Sequence, residues 1–199
     1  MRKKNLKKPK MTRGKKIAAR ARRDSFIYGT KKEVYAYPTG KRKATYMNDL
    51  NRVYPENKSW SRQRSRGAAC DVFVGTVVRA SGVDKNFPPS ILEIEDYCKK
   101  HKKKWKKMLV TNKEKMRQGD IIFQFFKSGG RHVSIYLGKG KVANAHAVAQ
   151  TYSVVESYSK VIKPKKDCTK FWIYRAREKK RKTVKPHRDG AFLLQEIKK

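Results

Sequence analysis

Acidic side chains are scarce in this chain: 16 Asp and Glu stand against 53 Lys and Arg, a formal charge of +37 over 199 residues. That imbalance excludes an ordinary near-neutral enzyme surface. It implies polyanionic surroundings, whether nucleic acid, an anionic cell-wall polymer or an anionic membrane. Long apolar runs are also missing, so no helical membrane span is expected. The basic residues at the start are followed only by Ile17-Ala18-Ala19 before charge resumes, and no secretory signal is visible. The expectation is synthesis in the cytoplasm, with release by lysis or carriage in a phage-like virion. Cysteine is sparse as well: Cys70, Cys98 and Cys168 are odd in number and far apart, which does not suggest a disulfide framework. Cys98 and His101 have a metal-like spacing, but no second pair completes a tetrahedral set, so neither a metal nor another cofactor is expected.

What is abundant is unevenly spread. Residues 1–23 carry twelve Lys or Arg and no acid, interrupted by Pro9 and Gly14. Self-repulsion and few apolar side chains predict an unfolded, polyanion-binding arm. Phe26, Tyr28, Tyr35 and Tyr37 follow among further basic residues and are expected to pin the arm to the core. The arm is therefore read as residues 1–43, a folded domain as 44–177, and a second basic tail as 178–199.

Inside the domain, Met47, Leu50, Val53 and Tyr54 fall at helical spacing before Pro55. The segment from Cys70 to Gly82 is apolar all round, with Phe73, Val74, Val77 and Val78 in helical register and Gly82 suited to a left-handed cap, so it reads as a buried helix. Pro88-Pro89-Ser90 starts a third helix, with Ser90 and Glu93 in capping-box spacing, expected to run to about Lys107. Ile121–Phe126 reads as a buried strand, Val133–Leu137 and the stretch from Lys141 as a hairpin, and Lys170–Ala176 as a last strand. Helices followed by an antiparallel sheet make an α+β domain.

Cys70 opens the buried helix. A helix start offers partial positive charge and unpaired N–H groups, here those of Cys70 and Asp71, which lower a thiol's pKa and can hold an oxyanion. A lone cysteine is more commonly a small buried side chain, so the catalytic reading requires a base. His132 supplies one at the start of its strand. Asn144, across the Gly138-Lys139-Gly140 turn, can fix the imidazole tautomer; His146 shares its strand parity and is the other candidate for that task. Asp71, next to the thiol, would oppose its ionisation.

These pieces resemble the NlpC-type cysteine peptidases, papain-like enzymes that cleave bacterial cell-wall peptides, with the CHAP amidases as relatives. Cys70-Asp71-Val72-Phe73-Val74 stands where that family shows Cys-Ser-Gly-Phe-Val, and Gly119-Asp120-Ile121-Ile122-Phe123 where it shows Gly-Asp-Leu-Val-Phe. Gly130-Arg131-His132-Val133-Ser134-Ile135-Tyr136-Leu137-Gly138 matches Gly-His-Val-Gly-Ile-Tyr-Leu-Gly, and Asn144-Ala145 falls where the family has His-Ala. Three weak motifs in the right order are together fairly specific. The resemblance implies a papain-like NlpC-type fold, helices packed on an antiparallel sheet between disordered or loosely ordered basic termini. It also implies Cys70 as nucleophile, His132 as base, Asn144 as orienting group, and a peptidoglycan peptide as substrate cleaved by an endopeptidase or amidase. A family Tyr upstream of the nucleophile would correspond to Tyr54 or Trp60. The alternative from charge is a catalytically weak or inactive papain-like scaffold that binds nucleic acid or builds a virion.

Overall fold

The segment Cys70-Asp71-Val72-Phe73-Val74-Gly75-Thr76-Val77-Val78-Arg79-Ala80 forms a helix whose residues Val72–Val78 are all buried. An apolar surface on every side requires cover on every side. The computed structural model describes residues 10–27, 41–55, 69–109, 115–146, 151–157 and 168–179, and these supply that cover. In chain order the helices are α1 (Arg13–Arg23), α2 (Lys41–Val53), α3 (Cys70–Ala80) and α4 (Ile91–Lys100). The strands are β1 (Phe26–Ile27), β2 (Trp105–Met108), β3 (Ile121–Phe126), β4 (Arg131–Gly138), β5 (Lys141–His146), β6 (Thr151–Ser157) and β7 (Cys168–Ala176).

The strands form a seven-stranded sheet in the order β1-β6-β5-β4-β3-β7-β2. All pairings are antiparallel except β1 with β6. Alternation along the strands sorts the side chains. Ile121, Phe123, Val133, Ile135, Leu137, Ala143, Trp172 and Tyr174 join the helices in the main core. Ile122, Tyr136, Val142 and Ile173 cluster on the other face with Met116. The α+β class, α3 and the strands from β3 to β5 and β7 agree with the sequence reading.

Two expectations are corrected. The first is the arm. Residues 13–23 form α1, with Ile17 and Ala18 fully buried in the main core beside Ala21. The apolar residues are few, but their i, i+1, i+4 spacing gathers them on one face, so a small stripe suffices while the charges stay outside. Its closest approach is between backbones: a Cβ on Gly14 would stand 2.4 Å from the Gln118 carbonyl oxygen, and one on Gly119 would stand 2.1 Å from that of Gly14. Gly119 also has φ +85°. Arginines fasten the helix further, Arg13 donating to the Val83 carbonyl and Arg22 to that of Leu137. The folded unit therefore begins well before residue 44, whereas residues 1–9, 28–40 and 180–199, the remainder of the expected arm and tail, lie outside the described residues.

Docking α1 on α2 brings two basic helices together, and two buried carboxylates make this tolerable. Asp24, next to the end of α1, and Asp49 of α2 are 1% and 4% exposed. Arg20 and Arg23 pair with both, and Arg52 adds to Asp49. Burial beside Asp49 pushes the Asp24 carboxyl up. Asp49 is held down: burial opposes its charge, but hydrogen bonds from Arg20 and Arg52 outweigh it.

The second correction concerns α4, which stops at Lys100 rather than near Lys107. Trp105 has a better position than helix continuation offers. Its indole N–H donates to Asp84 at 3.1 Å, Lys104 Nζ reaches the same carboxylate at 3.1 Å, and the Tyr97 hydroxyl donates to it at 3.0 Å. With Trp105 only 1% exposed and its ring tilted against that of Phe87, centroids 4.9 Å apart, the chain turns at His101–Lys104 and runs as edge strand β2 along β7. The capping box is not made either. Ser90 is the N-cap without a side-chain bond, and the Ile91 N–H donates instead to Asp71 Oδ2 at 3.0 Å.

Because α1 belongs to the core, deleting residues 1–23 is expected to unfold the protein or lower its Tm by more than about 10 °C, and Ile17→Ala to cost roughly 2–4 kcal/mol. Differential scanning calorimetry measures both. An unchanged Tm on deletion would return α1 to the status of an arm.

Candidate active site

Cys70 is the first residue of α3, preceded by Ala69, which has no side chain able to cap the helix. The N–H groups of Cys70 and Asp71 are thus available to acceptors nearby, while that of Val72 is taken by Asp71 Oδ1. The Cys70 thiol is partly buried and lies among the backbone N–H groups of Val133, Asp71 and Cys70 itself. Val133 directly follows His132 in β4.

Strand pairing explains why that amide is free for sulfur. Tyr136 exchanges bonds with the β3 side, its carbonyl accepting from Gly119 N at 2.7 Å and its N–H donating to Asp120 O at 2.8 Å. Backbone groups alternate in direction, so those of Ile135 and Val133 point towards β5. Ile135 pairs there with Ala143, and this is the last rung between the two strands towards the His132 end. One rung further, Val133 meets Cys70 instead of β5. The start of α3 therefore meets β4 where its pairing with β5 ends.

His132 sits on β4 opposite Gln124 of β3. Asn144 follows Ala143 on β5, is fully buried, and pairs with Val154 of β6. By strand parity His132, Ser134 and Asn144 lie on one sheet face. His146 closes β5 and pairs with Thr151, beyond an irregularity that follows Asn144. Of the residues singled out by sequence, Cys70 is thus placed against β4 at His132's neighbour, and Asn144 beside the last β4–β5 rung.

The electrostatics differ from the sequence expectation. Three amide donors favour a thiolate, but desolvation by burial is the larger effect. With the adjacent Asp71 charge it pushes the Cys70 thiol up to about 11 from 9.0. Asp71 has a structural task that the sequence did not disclose. Its Oδ1 accepts from Val72 N at 2.9 Å while Oδ2 caps α4 at Ile91, so one carboxylate ties the starts of two helices. Tyr54 is not in a groove. It is 2% exposed, its hydroxyl donates to the Phe87 carbonyl at 2.9 Å, and Arg79 lies over its ring. Trp60 lies outside the described residues.

The Gly-Asp motif is architectural. Asp120 is 1% exposed and takes both nitrogens of an Arg175 fork, at 2.8 and 2.7 Å, together with Arg117 N at 2.7 Å. It locks β3 to β7 at the end remote from Cys70.

The NlpC/P60 family model matches residues 59–172, more than half of the chain, with α3, β4 and β5 inside the match. The chain belongs to the NlpC/P60 family. Members are generally cysteine peptidases or amidases acting on peptidoglycan. No curated protein matches the chain. As an NlpC/P60 chain it carries two further thiols. Cys98 is buried in the core, where desolvation raises its pKa. Cys168 lies at the start of β7 with its Sγ 3.6 Å from the Lys170 carbonyl oxygen. Cys98 and His101 do not converge on a common ligand: the His101 Nδ1 is 2.8 Å from the Tyr97 carbonyl oxygen and its ring stacks on Tyr97.

A thiol held at about 11 stays protonated at neutral pH, so alkylation of Cys70 by iodoacetamide, followed by peptide mass spectrometry, is expected to climb as pH rises from 7 towards 11. A flat profile below pH 9 would reveal a preformed thiolate. Asp71→Asn removes the opposing charge and is expected to speed labelling at pH 8 by up to about tenfold, one pKa unit. It also weakens the α4 cap, at about 1 kcal/mol. The raised thiol contributes stability below pH 9 that is lost as pH rises through about 11.

Proposed function

We propose that the protein is a cysteine hydrolase that cleaves amide bonds in peptidoglycan peptides, with Cys70 as nucleophile, His132 as base and Asn144 as the group that orients the imidazole. The observation that carries this reading is the position of the Cys70 thiol, at a helix start and against the amide next to His132 where β4 and β5 part. Because burial keeps the thiol neutral, a neighbouring base is required rather than optional. The imidazole takes the Sγ proton as sulfur bonds to the scissile carbonyl carbon. The resulting oxyanion faces the N–H groups at the start of α3, those of Cys70 and Asp71. His132 then passes its proton to the amine nitrogen, the C–N bond breaks, and an acyl-thioester remains. Water gives a proton to His132 as its oxygen attacks the thioester. The acid departs and the thiol takes the proton back.

Val133 N–H serves the sulfur, not the oxyanion: a hydrogen bond to the thiolate offsets part of the cost of burying it. The charge of the chain fits the same setting. Lys and Arg side chains hold the enzyme on an anionic polymer around its substrate, and lysis or a virion delivers it to the wall. The other reading, a scaffold that binds polyanions without hydrolysis, draws on the raised thiol and the carboxylate of Asp71 beside it.

Hydrolysis of soluble muropeptides, followed by release of new amino groups, tests the assignment. Cys70→Ala and His132→Ala are each expected to abolish it, by a factor of about 10³ or more, and Asn144→Ala to leave measurable turnover because an orienting group alters how often the base is aligned. If His146→Ala is more damaging than Asn144→Ala, His146 is the orienting residue. If wild type cleaves no wall fragment, the scaffold reading takes over.

A further inference from the structure

At the end of the sheet remote from Cys70 lies a cavity of about 1250 Å³, bounded by the start of α1, the turn after α4, the Arg117–Asp120 turn and the end of β7. Lys15, Lys102, Lys103, Lys106, Arg177 and Lys179 line it, and none of these six forms an ion pair among the described residues. Among the described residues the cavity has two acids, Asp120 and Glu178, and both are already engaged. Asp120 is held by Arg175, and Glu178 accepts the Arg13 N–H at 2.8 Å. Lys104, which also lines the wall, is satisfied by Asp84 and Tyr97.

Uncompensated charges of one sign in a concave site raise the local potential and concentrate anions there. Among the described residues the lining contains no aromatic side chain. It therefore offers no platform on which a base could stack, the feature that single-stranded nucleic-acid sites share. A cavity of this size admits one thin chain, whereas a duplex would rest across its rim.

We propose that this cavity is a docking site for a thin, base-free phosphodiester polymer of the polyol-phosphate kind, which holds the enzyme on the wall while the opposite end of the sheet works on peptides. The polymer's place in a cell wall rests on the hydrolase reading; the charge geometry of the cavity does not. Lysines and arginines would take successive phosphates as point charges and forks, releasing counterions from the polymer as they do so.

The test uses full-length protein and poly(glycerol phosphate) of defined length, with affinity measured across a salt series. Lys102→Glu/Lys103→Glu is expected to weaken binding at least about tenfold. It should also lower the slope of log K against log salt by roughly 0.7 for each phosphate no longer neutralised. Lys127→Glu/Lys170→Glu makes the same charge change at the other end of the sheet and is expected to change affinity less than about threefold. Equal losses in the two variants would overturn the site, because net charge alone would then hold the polymer. Tighter binding of wild type to a single-stranded oligonucleotide with the same number of phosphates would overturn the ligand in favour of nucleic acid. Muropeptide hydrolysis by Lys102→Glu/Lys103→Glu is expected to match wild type. If wild type itself proves inactive, the hydrolase reading fails while the binding comparison still decides the cavity.

Discussion

The structure depends on covering one apolar helix in a chain that carries +37 of charge. Val72–Val78 of α3 are buried on every side, and the sheet can cover only one of them. The other sides fall to α1, α2 and α4, of which the first two are strongly basic. They can dock because each presents a narrow apolar stripe, Ile17, Ala18 and Ala21 from α1 and Tyr46 and Leu50 from α2. Asp24 and Asp49 answer the arginines that docking brings together. Two carboxylates among so few acids are thus spent inside, where a pair of cationic helices would otherwise repel. Arg175 and Lys104 find buried carboxylates of their own in Asp120 and Asp84, but 53 cations against 16 acids leave most without such an answer.

Covering α3 also fixes the chemistry. A helix clamped along its whole length cannot slide, so its first residue is held at one height against β4. At that height the β4–β5 ladder has already ended, and the Cys70 thiol lies beside Val133 N–H. The same rigidity explains the double use of Asp71. By capping Ile91 it joins the starts of α3 and α4, and the cost is a negative charge beside the thiol. Structural need and chemical convenience conflict at this residue.

How far the sequence disclosed this depends on the element. The strands from β3 to β5 and β7 and the helix α3 were legible because each is buried and its pattern has one dominant period. Cys70 was legible as a helix-start thiol, and His132 and Asn144 as residues of one hairpin. α1 was not, since twelve cations in the first 23 residues outweigh, in any composition argument, the three apolar side chains that decide its packing. The end of α4 was missed because lysines at 99–107 continue a helical pattern equally well; only the distant Asp84, which receives Trp105, Lys104 and Tyr97, selects the turn. The thiol's pKa was misjudged for a related reason. A helix start can be read from sequence, whereas burial of the sulfur is a property of the assembled core.

The two ends of β3 and β4 divide the remaining labour. Near Gln124 and His132 the β4–β5 pairing ends and the Cys70 thiol meets β4, with Asp71 the charge beside it. Near Asp120 and Tyr136 the sheet is locked by the Arg175 fork, and cations gather around the lock. The separation has a physical basis: a cluster of lysines beside Cys70 would stabilise its thiolate and make it reactive without substrate. Placed at the far end, the same lysines are screened by solvent and by the length of the sheet, since charges separated by more than about 10 Å interact weakly at ordinary salt. A strongly cationic protein can in this way keep the Cys70 thiol protonated near neutral pH.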